Sequence, residues 1–592
     1  MRSTLPFPRP AWWVRAGSAV AAALLLVGAA VLGGCSAIRI PELEAGRPAT
    51  PEEFDPGWYG WYWSNGWCGT GESAEKDLDV WVTDPRILTV EDERRLLVTD
   101  FTFVAYRGFI GPDDVHRTSG TLFLPLDDHG EVSVRRGGDI LVTEFPPGIS
   151  TSDFDFVRAY GHRPALELDV ATAIVDVRGP IVRDLRRFEN PSSTSGEAFR
   201  SEEQLAYSQL RAFQRSAEAT DLLEWHTGVA WIRAVKAVRD VMTDATGLTE
   251  LPMTLVAEGR GALGAAQAAA VDRGVWGLVS VGWPMDWLDA HWVRWRRWER
   301  EARVRMMAEL QPIPYGSSRD VVSFLRSSYR EPDPECPSCP GSGQRWRSQL
   351  EIGVLKGQDR GPMDGVALLN VVGDSDPEWP IDLEARVALS RDETAFALPS
   401  PLPDGVAGPA EAVLGGESSS SRGPWASRIT TPWEALTYLP GAPSTLANET
   451  AARAALAWAE RVAGNRETPP FVVMEGLKEG DVVVDIVARD AMTSVKEAWL
   501  WAVDVPDRAD GDFKRAVHEG SEMGWRRVPA FFAGPAPDGS SVWRARLPIV
   551  TGRNQAYYPV VQTRVAGRDA EYSLPVRVLW NLGDPGLGAV WW

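Results

Sequence analysis

The sequence predicts an α/β domain built on a mostly parallel sheet, followed by an all-β domain at the C-terminus. Short apolar runs alternate with helical segments between residues 95 and 466, a pattern typical of a parallel sheet covered by helices on both faces. From residue 467 to residue 592 helical periodicity disappears, and apolar runs recur between turn residues at a spacing that favours an immunoglobulin-like β-sandwich.

The elements of the α/β part follow from their apolar runs. Continuous apolar runs predict strands over residues 96–107, 118–126, 139–145, 171–177, 253–256, 277–281 and 366–372, the first two forming a leading pair. Apolar residues at helical spacing predict helices over residues 221–244, 262–271 and 448–463. Residues 285–360 interrupt the alternation with an amphipathic segment rich in Trp and Arg, which predicts a helical cap insertion.

In the all-β part, six apolar runs are strand candidates. They are residues 482–487, 498–503, 528–532, 541–547, 557–565 and 574–580. Helical periodicity is missing between them, so no helix is predicted in this part of the chain.

The charge balance bears on the kind of partner. The chain has 592 residues, a formal net charge of -20 and an isoelectric point of about 4.9. Contact with nucleic-acid phosphates needs clustered Lys and Arg side chains, so this balance argues against a nucleic-acid partner.

The first 35 residues form a targeting segment. Arg2, Arg9 and Arg15 give a basic start, an apolar run follows, and small residues lead to Cys35. This pattern resembles a bacterial lipobox at the end of a signal peptide over residues 1–35, which implies cleavage just before Cys35 and lipidation of Cys35 as the first residue of the mature protein. An ordinary signal peptide or a transmembrane anchor is the alternative. We therefore expect a lipid-anchored protein of the cell envelope, in the outer membrane if the cell is Gram-negative.

Residues 36–94 are rich in Trp, Pro and Gly, with an aromatic cluster at residues 58–67. Such a cluster stacks on sugar rings, sits at a membrane interface or packs against the main domain, and the sequence leaves these three roles open.

A lone Cys-X-X-Cys motif lies at Cys336 and Cys339. A zinc site needs four ligands, and the sequence has no second such motif or His pair to complete one. In an exported chain we expect a local disulfide, with free thiols and a metal site as alternatives. No cofactor is expected.

The segment Met253–Ala262 has the layout of a nucleophile elbow, in which a strained turn between a strand and a helix carries the nucleophile between small residues. Ala257 and Gly261 are the small residues, and the position between them is Gly259. The sequence therefore predicts an α/β-hydrolase-like sheet whose nucleophile is missing.

The order of several motifs carries a family resemblance. These motifs are Ala206-Tyr207, the helix through Trp231, the elbow strand, residues 268–275, Val279–Val281, His291-Trp292, Asn370–Asp376 and Trp501–Arg515. Together they resemble the PhoPQ-activated pathogenicity-related protein family over roughly residues 95–580. The resemblance implies an α/β-hydrolase type of fold with a β-rich C-terminal domain, and a serine hydrolase activity in members that keep the triad.

The resemblance also identifies degenerate triad positions. Gly259 stands where the family has Ser, and Asp376 stands at the acid position. Ser444 lies where the family has His. The chain has no His between residues 292 and 517, and His518 lies in the β-rich part, where a surface role is expected. Without a hydroxyl at the nucleophile position no acyl-enzyme forms.

Other uses of the same region remain open. Glu258 and Asp376 are candidates for a carboxylate pair, and Asp153 and Asp155 are candidates for capping the next helix. The backbone at Glu258, Gly259, Arg260 and Gly261 is a candidate anion or ligand pocket, because it opens a helix.

The sequence thus predicts an exported, lipid-anchored protein that is catalytically inactive and binds a small molecule, saccharide or protein, or has a structural role, in the envelope. The first alternative is a serine-type esterase or peptidase with a displaced nucleophile, for which Ser150 and Ser152 are candidates. The second is an envelope scaffold that contacts partners through its β-rich domain.

Overall fold

The computed structural model describes much of the chain after residue 77. The described residues are 78–90, 93–107, 115–134, 140–146, 153–178, 223–248, 252–272, 274–283, 363, 366–373, 434–439, 444–463, 471–478, 481–488, 494–506, 525–535, 541–548, 550, 553–565, 568–573, 577–580 and 590–591. All of them belong to the larger of two compact units, Pro48–Trp592. The predictions for Cys35, residues 58–67, Ser150, Ser152, residues 285–360 with Cys336 and Cys339, Asp376 and His518 lie outside the described residues.

A mixed sheet begins in the α/β part. Its strands there are β1 (Trp81–Val82), β2 (Arg86–Thr89), β3 (Arg95–Arg107), β4 (Val115–Leu126), β5 (Ile140–Glu144), β6 (Thr172–Val175), β7 (Met253–Glu258), β8 (Val275–Val281), β9 (Ala367–Gly373) and β10 (Glu434–Leu439). Their spatial order is β1-β3-β4-β6-β5-β7-β8-β9-β10, with β2 paired to β3. β4 pairs antiparallel with both β3 and β6. The strands β6, β5, β7, β8, β9 and β10, in this spatial order, are parallel to one another.

The helices confirm the predicted pattern. They are α1 (Phe154–Val157), a π-helical turn (Arg158–His162), α2 (Arg163–Leu168), α3 (Leu223–Thr246), α4 (Arg260–Val271) and α5 (Glu449–Ala463). The predicted cap is present at α1, where the Asp153 carboxylate accepts the N–H of Phe156 at 3.1 Å and Asp155 lies in the first turn.

Helices cover the sheet on both faces. One apolar core joins α3 and α4 to side chains such as Leu255 and Leu278, and a second core joins α5 and the α1–α2 segment to Val256 and Val279. α4 is buried along its whole length, and an added Cβ at its Gly264 would lie 2.7 Å from Trp231 of α3. The small residues of α4 therefore allow it to pack closely between α3 and the sheet.

The C-terminal part is built of strands, as predicted. They are β11 (Phe471–Lys478), β12 (Asp481–Ala488), β13 (Ser494–Pro506), β14 (Arg526–Pro529), β15 (Phe531–Pro535), β16 (Ser541–Pro548), β17 (Arg553–Val565), β18 (Arg568–Ser573), β19 (Arg577–Trp580) and β20 (Val590–Trp591). β18 pairs with β10 through Leu436 and Ser573, so the large sheet continues as β18-β17-β13-β14.

A second sheet, in the order β11-β12-β16-β15, shares a core with this continuation. Val484 and Leu547 of the second sheet lie in the same apolar cluster as Leu500 and Tyr557 of the first. Two packed sheets are thus present, and the immunoglobulin-like arrangement stays a prediction.

The predicted strands differ from the structure at several points. The run predicted over 528–532 is divided at Ala530 into β14 and β15, because β14 pairs with β13 in one sheet and β15 pairs with β16 in the other. Of the strand predicted over 574–580, residues 577–580 form β19, and residues 574–576 lie outside the described part of the chain. β1, β2, β10, β11, β18 and β20 were not predicted. Among the described residues, no helix is long and apolar enough to cross a membrane.

Candidate elbow site

The turn between β7 and α4 has the backbone of a nucleophile elbow. β7 ends at Glu258, α4 begins at Arg260, and Gly259 alone makes the turn, with φ 57° and ψ −129°. Residues with side chains rarely adopt a φ of this sign. The Gly259 N–H donates to the Val281 carbonyl at 2.8 Å, and the Gly259 carbonyl accepts the Ala262 N–H at 3.0 Å. The strained turn is therefore held by both β8 and α4.

Space does not exclude a side chain at Gly259. An ideal Cβ on this residue would meet one atom within 4 Å, the Nη1 of Arg178 at 3.6 Å. The elbow thus keeps its conformation and an open position for a nucleophile, while the residue itself supplies no reactive atom. The predicted elbow backbone is confirmed, because β7, the turn at Gly259 and α4 follow one another in the chain.

The Glu144 carboxylate lies against the first turn of α4. Glu144 is the last residue of β5, and an ideal Cβ on Gly261 would lie 1.7 Å from its Oε2 and 2.5 Å from its Oε1. Both distances are far below any real contact of a Cβ atom. Only glycine therefore fits at position 261 beside the Glu144 carboxylate. The elbow itself also favours a small residue at this position.

A buried ion pair spans the elbow. The Arg178 Nε donates to Glu144 Oε1, and the two side chains are 6% and 0% exposed. A charge at such depth is retained only when it is paired. The guanidinium of this pair faces the open position at Gly259, and the carboxylate faces Gly261.

This pair was not predicted from the sequence. Glu144 ends β5, Arg178 follows β6 by three residues, and the two strands are parallel neighbours in which Glu144 is opposite Val175. Two opposite charges placed after neighbouring apolar runs are the signal that would have found them.

Glu258 connects the elbow to the segment before α5. Its Oε2 accepts the backbone N–H of Leu446 at 2.7 Å and the Thr445 hydroxyl at 3.1 Å. The carboxylate proposed as half of an acidic pair therefore binds this segment. The other half, Asp376, lies outside the described residues, so the pair stays a prediction.

Leu446 is held from a second side by Tyr160. The Tyr160 hydroxyl donates to the Leu446 carbonyl at 2.8 Å. Burial of the ring, followed by the negative charge of Glu258, raises the pKa of Tyr160 well above its usual value. The tyrosine therefore stays protonated and remains a hydrogen-bond donor.

Ser444, at the degenerate base position, is used in packing. Its Oγ accepts the N–H of Gly373 at 2.8 Å, at the end of β9. An ideal Cβ on Gly282 would lie 2.6 Å from the Ser444 Cβ, so the residue is also pressed against the end of β8. The Thr445 hydroxyl donates to the Glu258 carboxylate. Because Glu258 precedes Gly259 and Thr445 follows Ser444, this hydrogen bond brings the nucleophile position and the base position to the same edge of the sheet.

The Arg260 side chain is buried and lies near an aromatic ring. Its guanidinium carbon is 5.7 Å from the centre of the Trp283 ring, which is a cation–π distance. Whether Glu258, Gly259, Arg260 and Gly261 bind an anion stays a prediction. Within the described part of the chain, no group of three or more His, Cys, Asp and Glu side chains could hold a metal ion.

The strand order, the parallel centre of the sheet and the elbow together form an α/β-hydrolase fold. No family model and no curated protein matches the chain.

Solved structures that match include acetyl xylan esterase 1 from Thermoanaerobacterium sp. JW/SL YS485, with 12% identity, 59% of this chain and 86% of that chain covered, and a TM-score of 0.29. The glucuronoyl esterase from Solibacter usitatus matches with 10% identity, 53% and 72% covered, and a TM-score of 0.28. Likeness at this level carries no argument about activity.

Proposed function

We propose that this chain is an exported, lipid-anchored protein of α/β-hydrolase fold that is catalytically inactive at its elbow. Its role is binding or structural, within the cell envelope. The observation that carries the proposal is Gly259, which has the strained backbone of a nucleophile position and no side chain. The resemblance to the PhoPQ-activated pathogenicity-related family is part of the same proposal.

The residue at the base position also supports inactivity. An acyl-enzyme needs a nucleophile and a general base, and Ser444 at the base position accepts a backbone N–H from Gly373. Catalysis that remains in hydrolases without a triad comes from the oxyanion hole and substrate binding, and it is small.

The test is labelling of the purified mature protein with a fluorophosphonate probe, which reacts with activated serines without needing a known substrate. We expect no labelling of the wild type, and none of Gly259→Ser because no His stands at the base position. Gly259→Ala is the matched control for the backbone strain. Labelling of a specific serine in the wild type would overturn the proposal and support the displaced nucleophile. Ser150→Ala and Ser152→Ala variants would then identify it.

The lipid anchor is tested separately. Cells are grown with a labelled fatty acid, and the wild type is compared with Cys35→Ser. We expect label and membrane association in the wild type and loss of both in the variant. A wild-type chain without label, recovered in the soluble fraction, would contradict the anchor while leaving the inactivity of the elbow untouched.

A saccharide or peptide of the envelope is the ligand class that we propose. The aromatic cluster at residues 58–67 supports a saccharide, because flat indole rings stack on sugar faces. Retention of the mature protein on an envelope polysaccharide, lost in Trp61→Ala and Trp63→Ala, would support this ligand. Equal retention of these variants would contradict it.

A further inference from the structure

Three groups meet at a buried position beside the elbow. They are the Glu144 carboxylate, the Arg178 guanidinium and the first turn of α4 at Gly261. We propose that Arg178 and the first turn of α4 form a carboxylate-binding site that this chain fills with its own Glu144. The site takes a small monocarboxylate, such as acetate, once the Glu144 side chain is removed.

The position of Glu144 supports a bound carboxylate rather than an ordinary ion pair. The side chain is fully buried, Arg178 Nε donates to its Oε1, and its Oε2 lies so near Gly261 that no Cβ fits between them. The first turn of a twelve-residue helix presents the positive end of the helix dipole to this carboxylate. A planar guanidinium and a helix N-terminus are both groups that select carboxylates.

The site differs from the anion pocket suggested by the sequence. That pocket was assigned to Glu258, Gly259, Arg260 and Gly261, and it was expected to be open to a ligand. Here the cation is Arg178, and the chain's own carboxylate supplies the anion. An external anion therefore competes with a covalently attached one in the wild type, and we expect no measurable binding there.

This carboxylate site goes beyond the proposed function and does not rest on it. It concerns the group that occupies the space between Arg178 and Gly261, and not whether a serine elsewhere reacts.

Truncation of Glu144 to Ala removes a CH2–COO⁻ group, and acetate has nearly the same shape and charge. The truncated protein keeps Arg178 buried beside an empty volume. Acetate entering that volume restores the lost ion pair.

The experiment measures the Tm of the full mature protein and of Glu144→Ala against acetate concentration, at fixed pH and at ionic strength held constant with chloride. We expect a lower Tm for the variant in chloride. Acetate raises that Tm by roughly 2–4 °C at about a hundred times Kd, and the rise grows with the logarithm of the acetate concentration above Kd. Neutral acetamide, which has the same shape, has no such effect, and the wild-type Tm does not respond.

Two variants serve as controls. Glu497→Ala removes a carboxylate from an exposed pair with Arg527, and no specific acetate response is expected because water already solvates that guanidinium. Glu144→Ala/Arg178→Ala keeps the volume without the cation, and its response to acetate should be lost.

An equal response of the double variant, or of acetamide, would overturn the proposal. If Glu144→Ala does not fold, acetate is supplied during refolding instead. Recovery of folded protein in acetate, but not in chloride or acetamide, is then the expected result. Failure in all three conditions would overturn the proposal.

Discussion

The Glu258 carboxylate accepts the backbone N–H of Leu446 at 2.7 Å, which links the residue before the elbow to the segment before α5. Tyr160 holds the carbonyl of the same Leu446 at 2.8 Å. Both polar backbone groups of Leu446 are thus satisfied by side chains from other elements. The strand end that carries a catalytic turn in a hydrolase fold therefore has a structural role in this protein, because it fixes a distant loop.

Replacing Glu258 should loosen that loop. Glu258→Ala leaves the buried N–H of Leu446 without its acceptor, so we expect a loss of about 2 kcal/mol in the free energy of unfolding. Glu258→Gln keeps an acceptor oxygen and should lose less. Urea unfolding measures both. Either variant also removes the negative charge beside Tyr160 and should lower the pKa of Tyr160, which burial still holds above its usual value. Equal unfolding free energies for Glu258→Ala and the wild type would contradict the role of this contact.

The two glycines of the elbow should respond differently to alanine. At Gly261 the new Cβ would overlap the Glu144 carboxylate, so we expect a loss of about 3 kcal/mol or more. At Gly259 the Cβ has room and only the backbone conformation is strained, which costs about 1–3 kcal/mol. Urea unfolding gives both values.

A double-mutant cycle tests the cause at Gly261. Gly261→Ala should cost less in a Glu144→Ala background than in the wild type, because the carboxylate that it meets is gone. A larger loss at Gly259 than at Gly261, or strict additivity in the cycle, would show that the carboxylate does not set the requirement for glycine.

Much of this architecture could be predicted because local patterns encode it. Strands buried on both faces need continuous apolar runs, and a strained turn needs small neighbours, so β7, α4 and Gly259 were predictable from residues near them. The ends shifted by a few residues: β7 reaches Glu258, and α4 begins at Arg260.

Contacts between distant segments were not predictable in this way. The Glu144–Arg178 pair and the contact of Glu258 with Leu446 join residues far apart in the chain, and no periodic pattern records such partners. The pairing of Leu436 with Ser573, which continues the sheet from β10 into β18, is of the same kind. The dependence of Gly261 on Glu144 could be seen only once both were placed.

His162 should make the protein less stable below about pH 6.5. It is buried in the π-helical turn, with its ring centre 5.2 Å from that of Phe123 and 6.2 Å from that of Phe154. Burial, and then the charge of Arg158, lowers the pKa of His162 below the usual histidine value of 6.5. As pH falls through 6.5, the unfolded chain therefore takes up a proton that the folded chain does not.

The folded state loses stability over that range until the lowered pKa is reached. His162→Gln should remove this part of the slope of unfolding free energy against pH, measured by urea unfolding from pH 7.5 to pH 5. An unchanged slope in His162→Gln would show that another group is responsible.

Ser444 should resist conversion into a catalytic base. Ser444→Ala removes the acceptor of the Gly373 N–H and should cost about 1 kcal/mol. Ser444→His should cost more, because a ring carbon that cannot accept replaces an oxygen only 2.8 Å from that nitrogen, beside the closely packed Gly282. We therefore expect Gly259→Ser/Ser444→His to remain unlabelled by a fluorophosphonate and to unfold at lower urea concentration than Gly259→Ser. Stable folding together with specific labelling of residue 259 would show that the base position can still hold a working imidazole.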